Sequence, residues 1–545
     1  MRALSSLGPH ARVRTTRFGA TLMALALLAS GAASAEARSN AKLATTGADP
    51  IVSTSAGLVR GTVVSDTYAF RGVPYAAAPT GNLRWRPPAP TAAWMGVRDA
   101  TQYGANCAQP DAPPFSAQSL AEDCLFLNVQ TPSLSAGTRL PVFVWIHGGG
   151  WTGGAGRDYD GTLLSKEGVV VVTINYRLGA LGFLAHPALA SVSGASGNYG
   201  QMDQQAALRW VQANIKHFGG DPKNVTIAGE SAGALSVLGH LISAGSQGLF
   251  TRAVVQSGSF ALKQQTLAQG EAFGQAFATS VDCGNQSAAC LRAAPVSKLL
   301  ANFPGAAIPG MVDGEVYKES FGTALAAGRF ARVPVINGVN QNEQLIFVAI
   351  GTSVTGGSYV NLPGGDPFAI TAATYESTIA TVLGVSAARA AAIADVYPIE
   401  AYPLGFIAFS VLDNDASWAC PALQMNQWLA KRVPTFAYEF NDANAPARFF
   451  PQLGAATHTN EIPYILEEPD APIQQPFSTD SAALASLMRD AWSSFAASGQ
   501  PDPAHVAWPS FGGGTQQRVM SLEAPGSRVV RDFSSRHHCD FWAAG

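Results

Sequence analysis

Charged side chains are scarce in this sequence. Asp, Glu, Lys and Arg make up 13% of its 545 residues, and 34 basic residues nearly balance 37 acidic ones, for a net charge of −3. Proteins that bind nucleic acid or acidic membrane surfaces concentrate basic residues on one face. The composition therefore gives no indication of a nucleic-acid partner and favours a small, neutral ligand.

Long apolar runs are missing after the N-terminus, where a membrane-spanning helix would need about 20 such residues. The single short run, residues 20–29, follows four arginines and precedes Ala-Ser-Ala at 33–35. That pattern is typical of a secretory signal with a small-residue cleavage site. We therefore expect residues 1–35 to be a signal peptide and the mature chain to carry no membrane span. An uncleaved membrane anchor is the alternative, which the shortness of the run disfavours.

Cysteine is also sparse, at six residues, and no two of them have the Cys-x-x-Cys spacing of a zinc site. No metal site is therefore predicted. In an exported chain six cysteines suggest three disulfides, although many pairings are open. Proximity favours local loops within two pairs, which leaves the last two to join distant segments; free buried thiols are the alternative. These cysteines are, in chain order, Cys107, Cys124, Cys283, Cys290, Cys420 and Cys539.

Hydrophobic residues, in contrast, make up 47% of the chain, enough for a large buried core. β-branched runs at 142–146, 169–174, 225–228 and 253–255 alternate with helical patterns such as 202–218. This alternation predicts a mainly parallel sheet flanked by helices. No linker or repeat divides residues 36–545, so we expect one α/β domain. Its Ala-rich segments at about 260–330 and 345–430 are predicted to be helical insertions that form the substrate pocket.

Residues 229–233 read Gly-Glu-Ser-Ala-Gly, between the strand that ends at 228 and an apolar helix. The bare pattern is weak in a glycine-rich chain, but at a strand-to-helix turn it predicts a nucleophile elbow that exposes the hydroxyl of Ser231. The helix N-terminus then lies beside the negative charge that develops during acyl transfer. A plain glycine-rich turn with a helix-capping serine is the alternative.

A second motif, His-Gly-Gly-Gly-Trp at 147–151, directly follows an apolar strand. Acyl transfer requires two or three N–H groups aimed at the tetrahedral oxygen, and glycines leave those groups accessible. We predict an oxyanion hole from the N–H groups of Gly149, Gly150 and Ala232, and expect Trp151 to border the pocket. A phosphate-binding loop is the alternative, but no Lys-Ser or Lys-Thr pair follows the glycines.

With both motifs in place, the chain resembles the type B carboxylesterase and cholinesterase-like family of α/β-hydrolases from about Ile51 to Trp542. The resemblance implies an α/β-hydrolase fold and a Ser-Glu-His triad that cleaves carboxylic esters. It rests on five further blocks: Phe-Arg-Gly-Val-Pro-Tyr at 70–75, Arg-Trp-Arg-Pro-Pro at 84–88, Glu-Asp-Cys-Leu-Phe-Leu-Asn at 122–128, Asn-Tyr-Arg-Leu-Gly at 175–179 and Gly-Asn-Tyr-Gly at 197–200.

Five histidines follow Ser231 in the chain. His240 lies about two and a half turns along the helix that leaves the elbow, too far from the serine oxygen. His505 lies in a Pro-rich stretch, and residues 537–538 lie at the chain end. His458, in a loop of small residues, matches the family's histidine block, so we expect it to be the base; a structural histidine is the alternative.

Glu343 is the expected triad acid because it follows the strand-like run 333–336, and this fold places catalytic groups at the carboxyl ends of strands. Its loop resembles the family's acid loop, although Asn342 and Gln344 stand where the family usually has Asp and Gly. These departures leave the exact shape of the loop open. Asp313 is the runner-up, but it precedes the strand, and a solvated surface glutamate is the other alternative.

The resemblance also implies that Ser257 and Glu461 brace the site, although ordinary turn chemistry would explain either residue. It further implies sequential, non-crossing disulfides, which are Cys107–Cys124, Cys283–Cys290 and Cys420–Cys539.

The implied reaction starts when Ser231 attacks a small-molecule ester while His458 takes the serine proton. Water then hydrolyses the acyl-enzyme, and Glu343 orients the histidine throughout. No metal or organic cofactor is required. An amidase or lactonase with the same triad is one alternative. A non-catalytic binding module is another, disfavoured because the serine, acid, histidine and glycine loop are all present. The sequence does not indicate which ester is hydrolysed or the oligomeric state.

Overall fold

A computed structural model describes residues 49–112, 117–135, 137–303, 310–450, 455–501, 506–512 and 517–544. The expected signal peptide at 1–35 and His505 lie outside these ranges. All of the described residues belong to one compact unit.

The strands in these ranges are mostly short, and eleven of them form one sheet. In chain order they are β1 (Ile51–Ser53), β2 (Leu58–Arg60), β3 (Thr62–Val64), β4 (Thr67–Pro74), β5 (Val97–Asp99), β6 (Phe126–Thr131), β7 (Leu140–Ile146), β8 (Val170–Ile174), β9 (Gly220–Glu230), β10 (Arg252–Gln256), β11 (Gln265–Thr266), β12 (Met311–Val312), β13 (Val335–Asn340), β14 (Thr352–Thr355), β15 (Ser358–Asn361), β16 (Thr435–Phe440), β17 (Val519–Leu522) and β18 (Arg528–Val530).

The large sheet has the order β18-β17-β16-β13-β10-β9-β7-β8-β6-β4-β3. Every neighbouring pair from β17 across to β8 is parallel. The pairs at both edges are antiparallel. The carboxyl ends of the central strands therefore meet at one edge, where open α/β sheets carry their ligand sites.

The described α-helices cover the sheet and fill the long connections between its strands. In chain order they are α1 (Thr162–Lys166), α2 (Gly179–Phe183), α3 (Tyr199–Asn214), α4 (Ala232–Ile242), α5 (Leu267–Ser280), α6 (Ala288–Ala293), α7 (Val296–Asn302), α8 (Phe321–Ala327), α9 (Leu345–Ala349), α10 (Tyr375–Leu383), α11 (Ala387–Val396), α12 (Gly405–Asn414), α13 (Cys420–Ala430), α14 (Thr479–Ser498), α15 (Phe533–Arg536) and α16 (Cys539–Ala543).

Strand β7 shows how both faces of the sheet are buried. Val142, Val144 and Ile146 pack with α3 and α4 in one apolar cluster, whereas Phe143 and Trp145 pack with α14 in another. Successive side chains of a strand point to opposite faces, so a strand covered on both sides reads as a continuous apolar run. The predicted α/β-hydrolase fold, a mainly parallel sheet flanked by helices, is confirmed.

Two long insertions interrupt the second half of the sheet. Helices α5 to α8 lie between β10 and β13, and the β14–β15 pair with α9 to α13 lies between β13 and β16. Their positions agree with the Ala-rich segments predicted to be helical. Within the described ranges no single helix is long and apolar enough to cross a membrane, and only the sharply bent pair Tyr375–Leu383 and Ala387–Ala401 meets the criteria jointly.

Three disulfides cross-link the chain in the pairs that the family resemblance implied. They are Cys107–Cys124, Cys283–Cys290 and Cys420–Cys539. The third pair joins α13 to α16 across 119 residues. Loop-closure theory gives a loop of this length a stabilisation of about 4–5 kcal/mol.

Candidate active site

Ser231 occupies a sharp turn between β9 and α4. Its φ of 57° and ψ of −123° lie in a region that a non-glycine residue rarely adopts, as expected for a nucleophile elbow. The turn is held by its N–H, which donates to the carbonyl of Gln256 at 2.9 Å. A Cβ at Gly233 would lie 2.0 Å from the carbonyl oxygen of Ile146, so only glycine lets α4 begin this close to β7.

The glycine loop after β7 lies against Ser231. A Cβ at Gly148 would lie 3.1 Å from the Cβ of Ser231, and Gly149 has a φ of +93°. The N–H groups of Gly149, Gly150 and Ala232 donate no hydrogen bond to any part of the chain that the structure describes. They can therefore donate to an oxygen bound beside Ser231.

Two aromatic side chains at the ends of the glycine motif hold this loop in place. The His147 ring stacks on Tyr176 with centroids 4.4 Å apart, and burial lowers its pKa to about 4, so the ring stays neutral. The Trp151 indole donates to the hydroxyl of Ser236 at 2.9 Å and is 2% exposed. Trp151 thus fixes the loop to α4, and its place at the border of the pocket stays a prediction.

Glu343 and His458 form a close pair. Glu343 Oε2 lies 2.6 Å from His458 Nδ1, and both residues are buried. The other carboxylate oxygen accepts from the hydroxyl of Ser257 at 2.5 Å and from the N–H of Asn340 at 2.6 Å. The acid loop is also joined to the histidine loop, since the N–H of Asn342 donates to the carbonyl of Ala456 at 2.9 Å.

The second ring nitrogen of His458 lies beside the elbow. Its Nε2 is 3.1 Å from Oε1 of Glu230, the residue just before Ser231, but this contact lacks the alignment of a hydrogen bond. Phe347 and Trp418 pack on the imidazole, with ring centroids 5.1 and 4.9 Å away. Trp418 belongs to a π-helical turn, Asp415–Ala419, and such turns are frequent at functional sites.

Carboxylates dominate the electrostatics around His458. Burial by itself lowers the pKa of this histidine. The charges of Glu230 and Glu343 and the hydrogen bond to Glu343 outweigh burial and raise the pKa to about 9. Burial raises the pKa of Glu230 to about 8. Glu461 accepts hydrogen bonds from the side-chain amides of Gln256 and Asn340 and so joins the ends of β10 and β13 beside the site. The arrangement favours a protonated imidazole, the form that follows proton transfer from a serine.

The residues that the sequence set aside lie elsewhere. His240 is hydrogen-bonded through both ring nitrogens, to Ser246 and Gln204. Asp313 accepts three backbone N–H groups of its own turn, residues 315–317. Within the described ranges no group of three or more His, Cys, Asp or Glu side chains could hold a metal ion. The structure thus brings Ser231, His458 and Glu343 to one edge of the sheet and leaves the runner-up residues outside it.

Sequence reasoning missed Glu230, Phe347 and Trp418 as neighbours of the histidine. Glu230 stands inside the elbow motif at a position the motif leaves open, so the motif gave no signal for it. Phe347 and Trp418 come from an insertion whose conformation the sequence does not fix.

Comparison with known proteins agrees with this geometry. The sequence pattern of the carboxylesterase family matches residues 48–542. Fumonisin B1 esterase of Sphingopyxis macrogoltabida is 35% identical over 483 residues, which cover 84% of each chain. Cocaine esterase of Homo sapiens is 34% identical over 91% of each chain. Acylcarnitine hydrolase of Mus musculus is 34% identical over 89% of this chain and 90% of its own.

Proposed function

Because this chain belongs to the carboxylesterase family and is a carboxylic ester hydrolase, we propose that it acts through an acyl-enzyme formed on Ser231. One arrangement carries the proposal. A serine in a strained elbow lies beside a glycine loop with unoccupied N–H groups, and a histidine paired with a buried carboxylate at 2.6 Å lies next to that elbow.

In the first half of the reaction, Ser231 Oγ attacks the ester carbonyl while His458 Nε2 takes the serine proton. The carbonyl oxygen becomes an oxyanion that the N–H groups of Gly149, Gly150 and Ala232 stabilise. The tetrahedral intermediate collapses as His458 returns the proton to the departing alcohol oxygen. This leaves the acyl group on Ser231.

In the second half, His458 removes a proton from water, and the resulting hydroxide attacks the acyl carbonyl. The acid product leaves and Ser231 recovers its proton from the histidine. Glu343 holds the imidazole through Nδ1 in both halves and stabilises its charged form. Apart from the ester and water, these steps use only side chains and backbone groups of this chain.

The substrate proposed is a small, neutral carboxylic ester. The relatives are named for three different compounds, fumonisin B1, cocaine and acylcarnitine. What we transfer to this chain is therefore only the chemistry of the carboxylic ester bond.

We also propose that the mature chain is exported, to the periplasm or the medium. Three disulfides support this, because disulfides persist in oxidising compartments. Amino-terminal sequencing of the mature protein tests the predicted cleavage near residue 35.

Pre-steady-state kinetics with p-nitrophenyl acetate test the acyl-enzyme. We expect a burst of p-nitrophenol equal to the enzyme concentration, and no burst from Ser231→Ala at an unchanged melting temperature. A burst in the alanine variant would contradict the assignment. A matched 4-nitroanilide tests the amidase alternative, which requires comparable rates on the ester and the amide.

A further inference from the structure

The residue after the proposed acid holds a β-hairpin in place. The side-chain amide of Gln344 donates to the carbonyl of Val354 at 2.7 Å and accepts from the N–H of Val354 at 3.2 Å. Gln344 is fully buried, and Val354 belongs to β14. The two bonds reproduce the way a neighbouring strand would pair with β14, so Gln344 fixes where the β14–β15 hairpin lies.

The hairpin carries Tyr359 on β15, directly opposite Val354. The Tyr359 hydroxyl lies over the glycine loop, since a Cβ at Gly150 would be only 3.4 Å from it. Its ring packs edge-on against Phe347, with centroids 5.9 Å apart, and Phe347 in turn contacts His458. The Tyr359 hydroxyl thus lies near Gly150 of the predicted oxyanion hole, and the Tyr359 ring packs on Phe347, which contacts the predicted base.

The Tyr359 hydroxyl is free to donate a hydrogen bond to a bound substrate. It forms no hydrogen bond with any residue that the structure describes. Burial and the neighbouring Glu230 raise the pKa of Tyr359 to about 12, so the phenol keeps its proton at the pH where a serine esterase works.

We propose that the Tyr359 hydroxyl donates a further hydrogen bond to the ester carbonyl oxygen, beside the N–H groups of Gly149 and Gly150, and that Gln344 positions it. The inference rests on the proposed function of Ser231, because the oxyanion forms there. A hydrogen bond to an oxyanion is stronger than one to a neutral carbonyl. Tyr359 therefore stabilises the transition state more than the bound ester.

Tyr359→Phe removes the donor and keeps the ring against Phe347. We expect kcat/KM on an ester to fall about 10- to 100-fold, the range for a hydrogen bond to a charged group. A trifluoromethyl ketone adds to the nucleophile and presents an oxyanion, so its inhibition constant should rise by a similar factor. The control is Tyr402→Phe, the same change within the same insertion, which should alter neither value.

A loss of kcat/KM without a matching loss of ketone affinity would overturn the proposal, because the hydroxyl would then act elsewhere than at the oxyanion. Unchanged kcat/KM would overturn it as well. A failure of the parent proposal is read separately, from fluorine NMR of the ketone. If Ser231 is the nucleophile, the adduct signal forms with wild type and is lost in Ser231→Ala.

The role of Gln344 is tested by a double-mutant cycle. Gln344→Ala should lower kcat/KM about 10-fold in wild type but less than twofold in the Tyr359→Phe background, because a positioning residue has no effect once the group it positions is gone. An equal loss in both backgrounds would show that Gln344 acts through Glu343 or the fold and not through Tyr359.

Discussion

Two buried histidines, His458 and His537, have almost the same surroundings and contrasting geometry. Each lies between two carboxylates, Glu343 and Glu230 for His458 and Asp415 and Glu439 for His537. Burial lowers the pKa of both rings, but the carboxylates outweigh burial and raise the pKa to about 9 in each case. Charge alone therefore does not distinguish a general base from a histidine with a purely structural role.

The difference lies in the second ring nitrogen. His537 Nε2 is hydrogen-bonded to Glu439 at 2.7 Å, and the other oxygen of Glu439 accepts from Arg536 at 2.6 Å. Both nitrogens of His537 are thus occupied. His458 Nε2 lies 3.1 Å from Glu230 without hydrogen-bond alignment. A general base needs one ring nitrogen that is free to accept a proton. Of these two histidines, only His458 has such a nitrogen.

The neighbourhoods match these two roles. The carbonyl oxygen of His537 lies 3.3 Å from Cys420 Sγ, and Cys420 forms a disulfide with Cys539. His537 therefore helps to attach the C-terminal helices to β16 and the π-helical turn. His458 lies instead at the carboxyl edge of the sheet, with its Nε2 3.1 Å from Glu230, the residue before Ser231.

The largest expected effect comes from Glu343→Gln, which keeps the shape of the acid but removes its charge. We expect kcat to fall by about 10³–10⁴, as for comparable acid-to-amide changes, with a much smaller change in KM. Steady-state kinetics on a p-nitrophenyl ester measure both.

Two controls accompany this variant. Asp415→Asn makes the matching change beside His537, and Asp313→Asn tests the runner-up acid. Both should keep kcat within about threefold of wild type when rates are normalised to folded protein. If Asp313→Asn lost as much activity as expected for Glu343→Gln while the latter stayed active, the acid would lie elsewhere.

His537→Gln should leave kcat nearly unchanged but lower the free energy of unfolding by about 3–5 kcal/mol, because it removes the cation beside buried Asp415 and leaves Glu439 paired with the Arg536 guanidinium. Denaturant unfolding at pH 7 with the disulfides intact measures the loss. A stable variant, or an inactive folded one, would remove the distinction between the two histidines.

The pH dependence of stability sharpens this prediction. The folded-state pKa of His537, about 9, exceeds the usual histidine value of 6.5, so its contribution to stability is complete below pH 6.5 and is lost as the pH rises towards 9. The contribution expected for such a shift is about 3–4 kcal/mol. The alkaline decline should therefore be shallower in His537→Gln than in wild type. Parallel declines would contradict the raised pKa.

The smallest effect is expected from Glu230→Gln. His458 must be neutral to accept a proton, so kcat/KM rises with pH through its pKa. Removing one of the charges that raise this pKa should move the acid limb of the profile to lower pH, by about one unit. Asp415→Asn should leave the limb where it is in wild type, since it borders only His537. An acid limb that moved equally in both variants would show a general charge effect.

Much of the site could be predicted because local patterns encode it. The elbow around Ser231 is a strand, a turn and a helix in sequence, and the glycine loop follows β7 directly. The prediction of Glu343 as the acid rests on its place after a strand. These features depend on chain neighbours and on strand ends, which hydrophobic patterning reveals.

The rest depends on contacts between distant segments. Gln344 was noticed as a departure from the family pattern, but its bond to Val354 exists only once the hairpin folds back. The position of His537 at the chain end does not indicate its partners, which lie 122 and 98 residues away. No periodicity in the sequence indicates such pairs, because long-range packing selects them.

Active-site labelling tests most directly the claim that His458 and Ser231 act together while His537 does not. A diethyl phosphate ester with a p-nitrophenol leaving group should modify Ser231 alone in wild type and, at the same rate, in His537→Gln. Labelling of His458→Gln should be at least about 10³-fold slower, because no base activates the serine. An adduct on another serine, or wild-type labelling of His458→Gln, would contradict the account.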